Sequence, residues 1–171
     1  MTSAQYIKYL SDKFSNYFDI DDNYHIDGQQ IDLYAKSNIR NEKYVLSKKA
    51  VIWSYENNEH CLVKLSEDST SHTEIINFIE LLKTSVSKIV IPSEDHMSSV
   101  ITGIYISDTS FNDSDISLAN KFKYSKLFSL GFKGWCDVRL VLVDLAKDQI
   151  YTNKKGREVK DFYFSILNNN N

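Results

Sequence analysis

Residues 131–145, GFKGWCDVRLVLVDL, decide the fold more than any other stretch of the sequence. After Cys136 the aliphatic side chains fall on both faces of an extended chain, and only Arg139 and two aspartates interrupt them. A strand that is apolar on both faces lies inside a sheet that is covered above and below. Two glycines and Trp135 precede it, which is typical of a tight approach to a buried strand. The stretch therefore predicts an interior strand.

The spacing of apolar residues predicts the other elements. Apolar residues three and four apart predict four helices, at residues 2–18, 71–89, 112–127 and 159–166. Runs rich in β-branched and aromatic residues predict strands around these helices, including a second interior strand at 98–107. The predicted order is α-β-β-β-β-α-β-α-β-β-α. It indicates an α/β (α+β) fold with a mixed central β-sheet flanked by helices on both faces.

Three local features add detail to this prediction. Ser71 and Glu74 have the spacing of a capping box at the start of the second helix. The polar segment ENNE at residues 56–59 is expected to be the turn of a hairpin between two extended segments. Leu127 is expected to face the core from the third helix, because it continues the apolar spacing of that segment.

Two pairs of side chains allow predictions about disulfide formation and about ion pairing. Cys61 and Cys136 each lie inside an apolar run, so we expect buried free thiols and no disulfide. Asp137 and Arg139 are two residues apart on one predicted strand and project to the same side. We expect these two to pair at the rim of the sheet.

The composition fits one domain at residues 1–167, followed by a polar asparagine tail at 168–171. The net charge of −3 gives no general attraction to nucleic acid or to an anionic membrane. The N-terminal segment does not resemble a signal peptide, and no apolar run approaches the ~20 residues that span a bilayer. We therefore expect a cytoplasmic protein without a membrane partner. Its partner is unknown, and nucleic-acid binding through a local basic patch and homo-oligomerisation are both left open.

Metal and nucleotide motifs are missing from the sequence. The four histidines lack the spacing of a metal-binding pair on a helix, and the two cysteines lack zinc-ligand spacing. A calcium-like stretch from Asp19 has Tyr24 where glycine is required and Gln30 where a glutamate is required. GxGxxG, Walker and GxSxG motifs are absent. The sequence predicts no metal site and no cofactor.

The order of elements in the first hundred residues resembles the restriction-endonuclease-like core. Such enzymes place an aspartate on one strand and a Glu-x-Lys motif on the next, so that two carboxylates hold Mg²⁺ and the lysine steadies the attacking water. The resemblance implies a divergent nuclease with Asp32 and either Glu42 or Glu56 as metal ligands and either Lys64 or Lys48 as the cation. The motif is degenerate, because a leucine stands where the glutamate should precede Lys64.

His96, Trp135 and Arg139 are the candidate binding residues. His96 lies between a helix end and an interior strand, in a place where α/β sheets bind ligands. One hypothesis is a small-ligand pocket near His96 and Trp135, and the alternative is that both side chains simply pack or hydrogen-bond locally. Arg139 is the one basic residue of this predicted strand, and beyond the expected pairing with Asp137 the sequence offers no explanation of its placement.

The segment 121–135, KFKYSKLFSLGFKGW, has two interpretations. Exposed aromatic residues beside lysines would stack on the bases of a single-stranded nucleic acid. On a helix, the same alternation is more typical of aromatic residues that face the core and lysines that remain in water. The second interpretation is favoured.

Three stretches resemble a known family. They are EDHMSSVITGI (94–104), FKYSKLFSLGFKGWCDVRLVLVDL (122–145) and IYTNKKGREV (150–159). The family consists of small proteins from Firmicutes and some archaea that share a domain of unknown function, and the similarity runs nearly the whole chain. The resemblance implies an intact single-domain bacterial protein and brings no activity with it. Because no complete catalytic set is present, the sequence predicts a non-enzymatic binding or interaction module, with the Mg²⁺-dependent nuclease as the alternative.

Overall fold

The computed structural model describes residues 1–44, 51–66, 71–94 and 96–168, with only the backbone described at 39–44 and 51–56. The helices are α1 (Ser3–Phe14), α2 (His72–Ile89), α3 (Asp113–Lys121) and α4 (Lys160–Leu167). The strands are β1 (Asp19–Asp21), β2 (His25–Ile26), β3 (Gln29–Gln30), β4 (Leu33–Tyr44), β5 (Val51–Leu65), β6 (His96–Ser107), β7 (Ser125–Leu127), β8 (Trp135–Asp144) and β9 (Gln149–Thr152). Two 3-10 turns lie at Ser129–Gly131 and Lys155–Glu158.

Seven of these strands form one mixed sheet. Its order is β1-β4-β5-β6-β8-β7, and β9 pairs with β8 as well. The β5–β6 and β6–β8 pairs are parallel, and the remaining pairs in the sheet are antiparallel. β7 pairs with the first residues of β8 and β9 with its last ones, so β8 has a different neighbour at each end. β2 and β3 form a separate small hairpin.

Helices cover both faces of this sheet, which confirms the predicted fold class. α2 and α3 pack on one face and α1 and α4 on the other, and each pair closes its own apolar core. β6 is buried without interruption at residues 101–107 and β8 at 140–144, which confirms both predicted interior strands. Gly103 lets α2 pack closely on β6, because an added Cβ would lie 2.2 Å from a methyl carbon of Leu82 and would force that side chain to move.

Capping boxes begin three of the four helices. The side chains of Thr2, Ser71 and Asn112 each accept a hydrogen bond from a backbone N–H in the first turn of the helix that follows. The side chain of the third helical residue bonds back to the cap in each case, as with Glu74. The capping box predicted for α2 is confirmed.

The turn predicted at residues 56–59 is wrong. β5 runs unbroken through this segment, with Asn58 paired to Asn38 on β4 and to Ser99 on β6. Polar side chains are compatible with an internal strand here because residues 57–60 are only half-buried. The connection from β4 to β5 passes through residues 45–50, which lie outside the described part of the chain.

The third helix is shorter than its apolar spacing predicts. α3 ends at Lys121, and Leu127 lies on β7 with 67% of its surface exposed instead of facing the core. Lysine, aromatic and serine residues alternate after Lys121 with a period close to two, which suits an edge strand better than a helix.

Cys61 and Cys136 are buried free thiols, as predicted. Burial raises the pKa of each thiol to about 12, so both remain protonated near neutral pH. Among the helices of the described segments, none is long and apolar enough to cross a membrane.

Candidate functional site

Two segments on either side of β8 line a basic cavity. Residues 120–125 and 153–155, together with Val138 and Glu158, line a volume of about 570 Å³. Four lysine side chains line it: Lys121, Lys123, Lys154 and Lys155. Glu158 is the acidic residue among its lining groups. We call this cavity the basic cleft.

Asn153 holds one wall of the basic cleft in place. Its side chain is buried, accepts hydrogen bonds from the backbone N–H of Leu140 (3.0 Å) and of Gly156 (2.8 Å), and donates to the carbonyl of Val138 (3.0 Å). Position 156 favours glycine, because the Cβ of any other residue would lie 2.7 Å from the carbonyl oxygen of Leu140. The turn that carries Lys154 is therefore tied directly to the central sheet.

The opposite wall follows the end of α3. Phe122 is buried, and the two lysines that flank it, Lys121 and Lys123, are exposed. The backbone N–H of Val138 donates to the carbonyl of Tyr124 at 3.0 Å, which fixes this wall to β8 as well. Both walls are thus hydrogen-bonded to the same interior strand, β8.

An ion pair connects the two walls. Asp137 accepts a hydrogen bond from the Ser125 hydroxyl at 2.5 Å, and its second oxygen lies 2.9 Å from the Lys155 ammonium. Burial of Asp137 opposes its charge, but the hydrogen bonds from Ser125 and Lys155 outweigh burial and lower the pKa of the carboxyl. The same contact raises the pKa of Lys155.

Arg139 lies next to this pair but has its own partners. Its guanidinium contacts Glu59 at 3.2 Å and Glu158 at 2.8 Å, with 13% of the side chain exposed. Burial works against its charge, and the contacts with Glu158 and Glu59 more than offset this and raise its pKa. The predicted pairing of Arg139 with Asp137 is wrong, because each charge is closer to oppositely charged groups on neighbouring elements.

A smaller cavity of about 160 Å³ also touches Arg139. Helices α1 and α4 supply aromatic walls, including Phe14 and Phe162, whose rings stack with centroids 5.8 Å apart. Thr102 and Cys61 line it beside Arg139. Arg139 therefore lines the apolar cavity and is ion-paired to Glu158, which lines the basic cleft.

His96 and Trp135 are not brought together. His96 is buried, with one ring nitrogen 2.7 Å from the carbonyl of Lys133 and the other 2.9 Å from the Ser99 hydroxyl. Ser99 and its register partner Cys136 face the α2 layer, so Trp135 projects from the opposite face of the sheet. A pocket shared by His96 and Trp135 is thus not formed.

The nuclease residues are only partly brought together. The Lys64 ammonium lies 3.6 Å from Asp32, which also accepts a hydrogen bond from the backbone N–H of Leu65. On the long β4–β5 ribbon, however, the backbone of Glu42 is ten residues along the chain from Asp32, and that of Glu56 pairs with a position eight residues along. At ~3.3 Å per residue, both are more than about 25 Å from Asp32.

Neither glutamate can therefore share a metal ion with Asp32. Lys48 lies outside the described residues. Within the described segments, no group of three or more histidine, cysteine, aspartate and glutamate side chains converges as a metal site would require.

The lysines of the basic cleft were missed by sequence reasoning. The favoured interpretation of 121–135 leaves Lys121 and Lys123 in water on the outer face of a helix, and no sequence pattern assigns a role to Lys154 or Lys155. One available signal was that the two lysine pairs lie before and after the same interior strand, with Lys123, Lys154 and Lys155 inside the stretches that carry the family resemblance. The pairing across β8 becomes visible only when the sheet is assembled.

The comparisons with known proteins concern the family. A family model described as Domain of unknown function (DUF8052) matches residues 2–165, which include both walls of the basic cleft. Comparison with curated proteins finds no match, and neither does comparison with solved structures. Because the match covers nearly the full length, the chain belongs to the DUF8052 family.

Proposed function

We propose that the protein is a non-enzymatic binding module that holds a phosphate-bearing ligand in the basic cleft. The observation that carries this proposal is the presence of four lysines around one cavity of about 570 Å³. Lysine ammonium groups are common ligands for phosphate, and cavities of this size suit small organic ligands.

The charge balance of the cleft supports an anionic ligand. Lys155 is neutralised by Asp137, and Glu158 is neutralised by Arg139. Across the described residues, no carboxylate lies within ion-pair distance of the other three lysines of the cleft. Three uncompensated positive charges match a phosphate dianion better than a single carboxylate.

Polar and aromatic groups beside these lysines suit a phosphate on an organic body. Asn120 lines the cleft and offers an amide hydrogen-bond donor, and Tyr124 supplies a half-buried ring. A nucleotide or one residue of a nucleic acid has this combination of a charged group and a flat ring. The basic cleft would therefore act as a local basic patch in a chain whose net charge is negative.

Isothermal titration calorimetry tests the proposal, with pyrophosphate and adenosine 5′-monophosphate as probes. We expect Lys121→Gln and Lys154→Gln each to weaken binding about tenfold, since each removes one charge-assisted hydrogen bond. Lys147→Gln, in the exposed β8–β9 turn, is the matched control and should bind like the unmodified protein. Equal affinities for all three variants, or no binding of either probe, would reject the proposal.

A divergent nuclease is the alternative, and the contact of Lys64 with Asp32 is the observation that favours it. It requires a second carboxylate near Asp32, and the backbone positions of Glu42 and Glu56 are too distant to supply one. A restriction-endonuclease-like topology, Mg²⁺ dependence, a bacterial source and a cytoplasmic location stay predictions.

A further inference from the structure

An exposed apolar turn projects beyond the first residue of β8. Leu130 and Phe132 are 93% and 87% exposed, and Trp135 is 41% exposed at the base of the turn. Leu127 on β7 adds a fourth exposed apolar side chain beside Trp135, its register partner. We call Leu127, Leu130, Phe132 and Trp135 the apolar tip.

The backbone of the tip is well defined. The N–H groups of Gly131 and Lys133 both donate to the carbonyl of Phe128, and Phe128 in turn donates to the carbonyl of Gly134. Phe128 is buried against His96, with ring centroids 5.8 Å apart. The tip is thus a bonded turn with a buried anchor.

Two non-glycine residues of the turn adopt left-handed backbone conformations. Ser129 has φ 49° and Leu130 has φ 56°, a region that costs free energy for residues with a Cβ. Leu130 gains almost no burial within the described chain in return. Strain that places a large apolar side chain in water is typical of a site that meets something outside the molecule.

The charged side chains of the segment that carries the tip are all positive. Residues 121–136 contain four lysines and no acidic residue, in a chain whose net charge is −3. Lys133 is next to Phe132, and the Lys126 ammonium lies 5.5 Å from the centre of the Phe128 ring. The rest of the chain is correspondingly acidic, so an anionic surface would attract this end of the molecule and repel the remainder.

We propose that the apolar tip inserts into the interfacial region of an anionic phospholipid membrane. Apolar side chains enter the boundary between headgroups and acyl chains, while lysines beside them reach the lipid phosphates. Each lysine near such a surface strengthens binding about fivefold. The proposal does not depend on the ligand of the basic cleft.

A membrane fits the shape of the tip better than the other partners do. Leu130 and Phe132 are almost fully exposed, so no described residue forms a groove around them, and Leu130, the most exposed of the four, is aliphatic and has no ring to stack on a nucleic-acid base. A rigid protein partner would need a matching concave pocket. A lipid interface accepts a protruding leucine and phenylalanine without one.

Vesicle sedimentation tests this inference. We expect the full chain to bind vesicles of phosphatidylcholine with phosphatidylserine and to bind vesicles of phosphatidylcholine alone much more weakly. Leu130→Ser combined with Phe132→Ser should weaken binding at least about tenfold, because the inserted apolar surface is lost. Lys126→Gln combined with Lys133→Gln should weaken it about 25-fold.

Tyr17→Ser is the matched control. Tyr17 is 80% exposed and precedes β1, the edge of the sheet opposite β7, so this change should leave vesicle binding unaltered. The changes are at exposed positions except for Lys126, which is half-buried, and unchanged thermal unfolding will show that the variants are folded. Lys154→Gln, which removes a cleft lysine, should also keep vesicle binding, which separates this inference from the proposed function.

Tryptophan fluorescence gives a second measurement. The chain has two tryptophans, so Trp53→Phe leaves Trp135 as the sole reporter. We expect its emission to shift to shorter wavelength when anionic vesicles are added. The inference is overturned if neither vesicle binds, or if the tip variant binds as well as the unmodified chain. It is equally overturned if the tip instead mediates dimerisation in light scattering or binding of single-stranded nucleic acid, without vesicle binding.

Discussion

Two turns lie against β8, and they differ in how their backbones are held. The turn at residues 153–156 is tied to the sheet by the buried side chain of Asn153, and it displays charged groups. The turn at residues 128–134 bonds mainly to itself, includes left-handed residues, and displays apolar groups. Charges held at fixed spacing suit a small ligand, whereas exposed apolar groups on a separate turn suit a soft surface.

Asn153→Ala should break the first turn and produce the largest effect. Two backbone N–H groups and one carbonyl would lose their partner in a buried place, so we expect the free energy of unfolding to fall by about 3 kcal/mol or more. Urea denaturation measures this. Asn120→Ala, an exposed amide of the opposite wall, is the control and should change stability by less than about 0.5 kcal/mol. A similar small change for both variants would contradict the assigned role of Asn153.

Asp137→Asn should remove the contact between the two walls and a part of the pH dependence of stability. The carboxyl pKa of Asp137 is lowered in the folded protein, so its contribution is complete above the unfolded pKa of about 4. That contribution is lost as the pH falls through the lower folded value. We expect the unfolding free energies of the two proteins to converge as the pH falls below about 4, in denaturation series at several pH values. A constant difference at every pH would contradict this.

Leu130→Asn should have the smallest effect of the three changes, and it should raise the free energy of unfolding instead of lowering it. Asparagine tolerates the left-handed conformation better than leucine, so we expect a gain in unfolding free energy of less than about 1 kcal/mol. Chemical denaturation measures the gain, and the same variant should bind anionic vesicles less well. A loss of stability would mean that the Leu130 side chain packs within the protein after all.

Helix starts and interior strands were predictable because they depend on near neighbours. The capping box of Ser71 and Glu74 and the apolar runs at 98–107 and 136–145 each lie within a short window. The prediction of a turn at 56–59 is wrong because the structure there depends on residues that are distant in the sequence. Polar residues there are compatible with a strand because of their position in the assembled sheet, which local composition does not specify.

The candidate sites were far less predictable. His96 and Trp135 looked like neighbours of one pocket, and the alternation of faces along the strands places them on opposite sides of the sheet. Arg139 stood out in the sequence, but its partners Glu59 and Glu158 are 80 and 19 residues away along the chain. Whole-chain charge gave no indication of a phosphate or a membrane, because it averages the lysines around β8 with distant acidic residues.

The sequence by itself determined the class of fold, the helix starts that carry capping boxes, and the two buried strands, since periodicity and capping act over a few residues. Only the tertiary structure decided which charges meet. Lys121 and Lys154 line one cleft because α3 and the turn after β9 both pack on β8. Contacts of this kind depend on strand order and register, which the whole chain sets together.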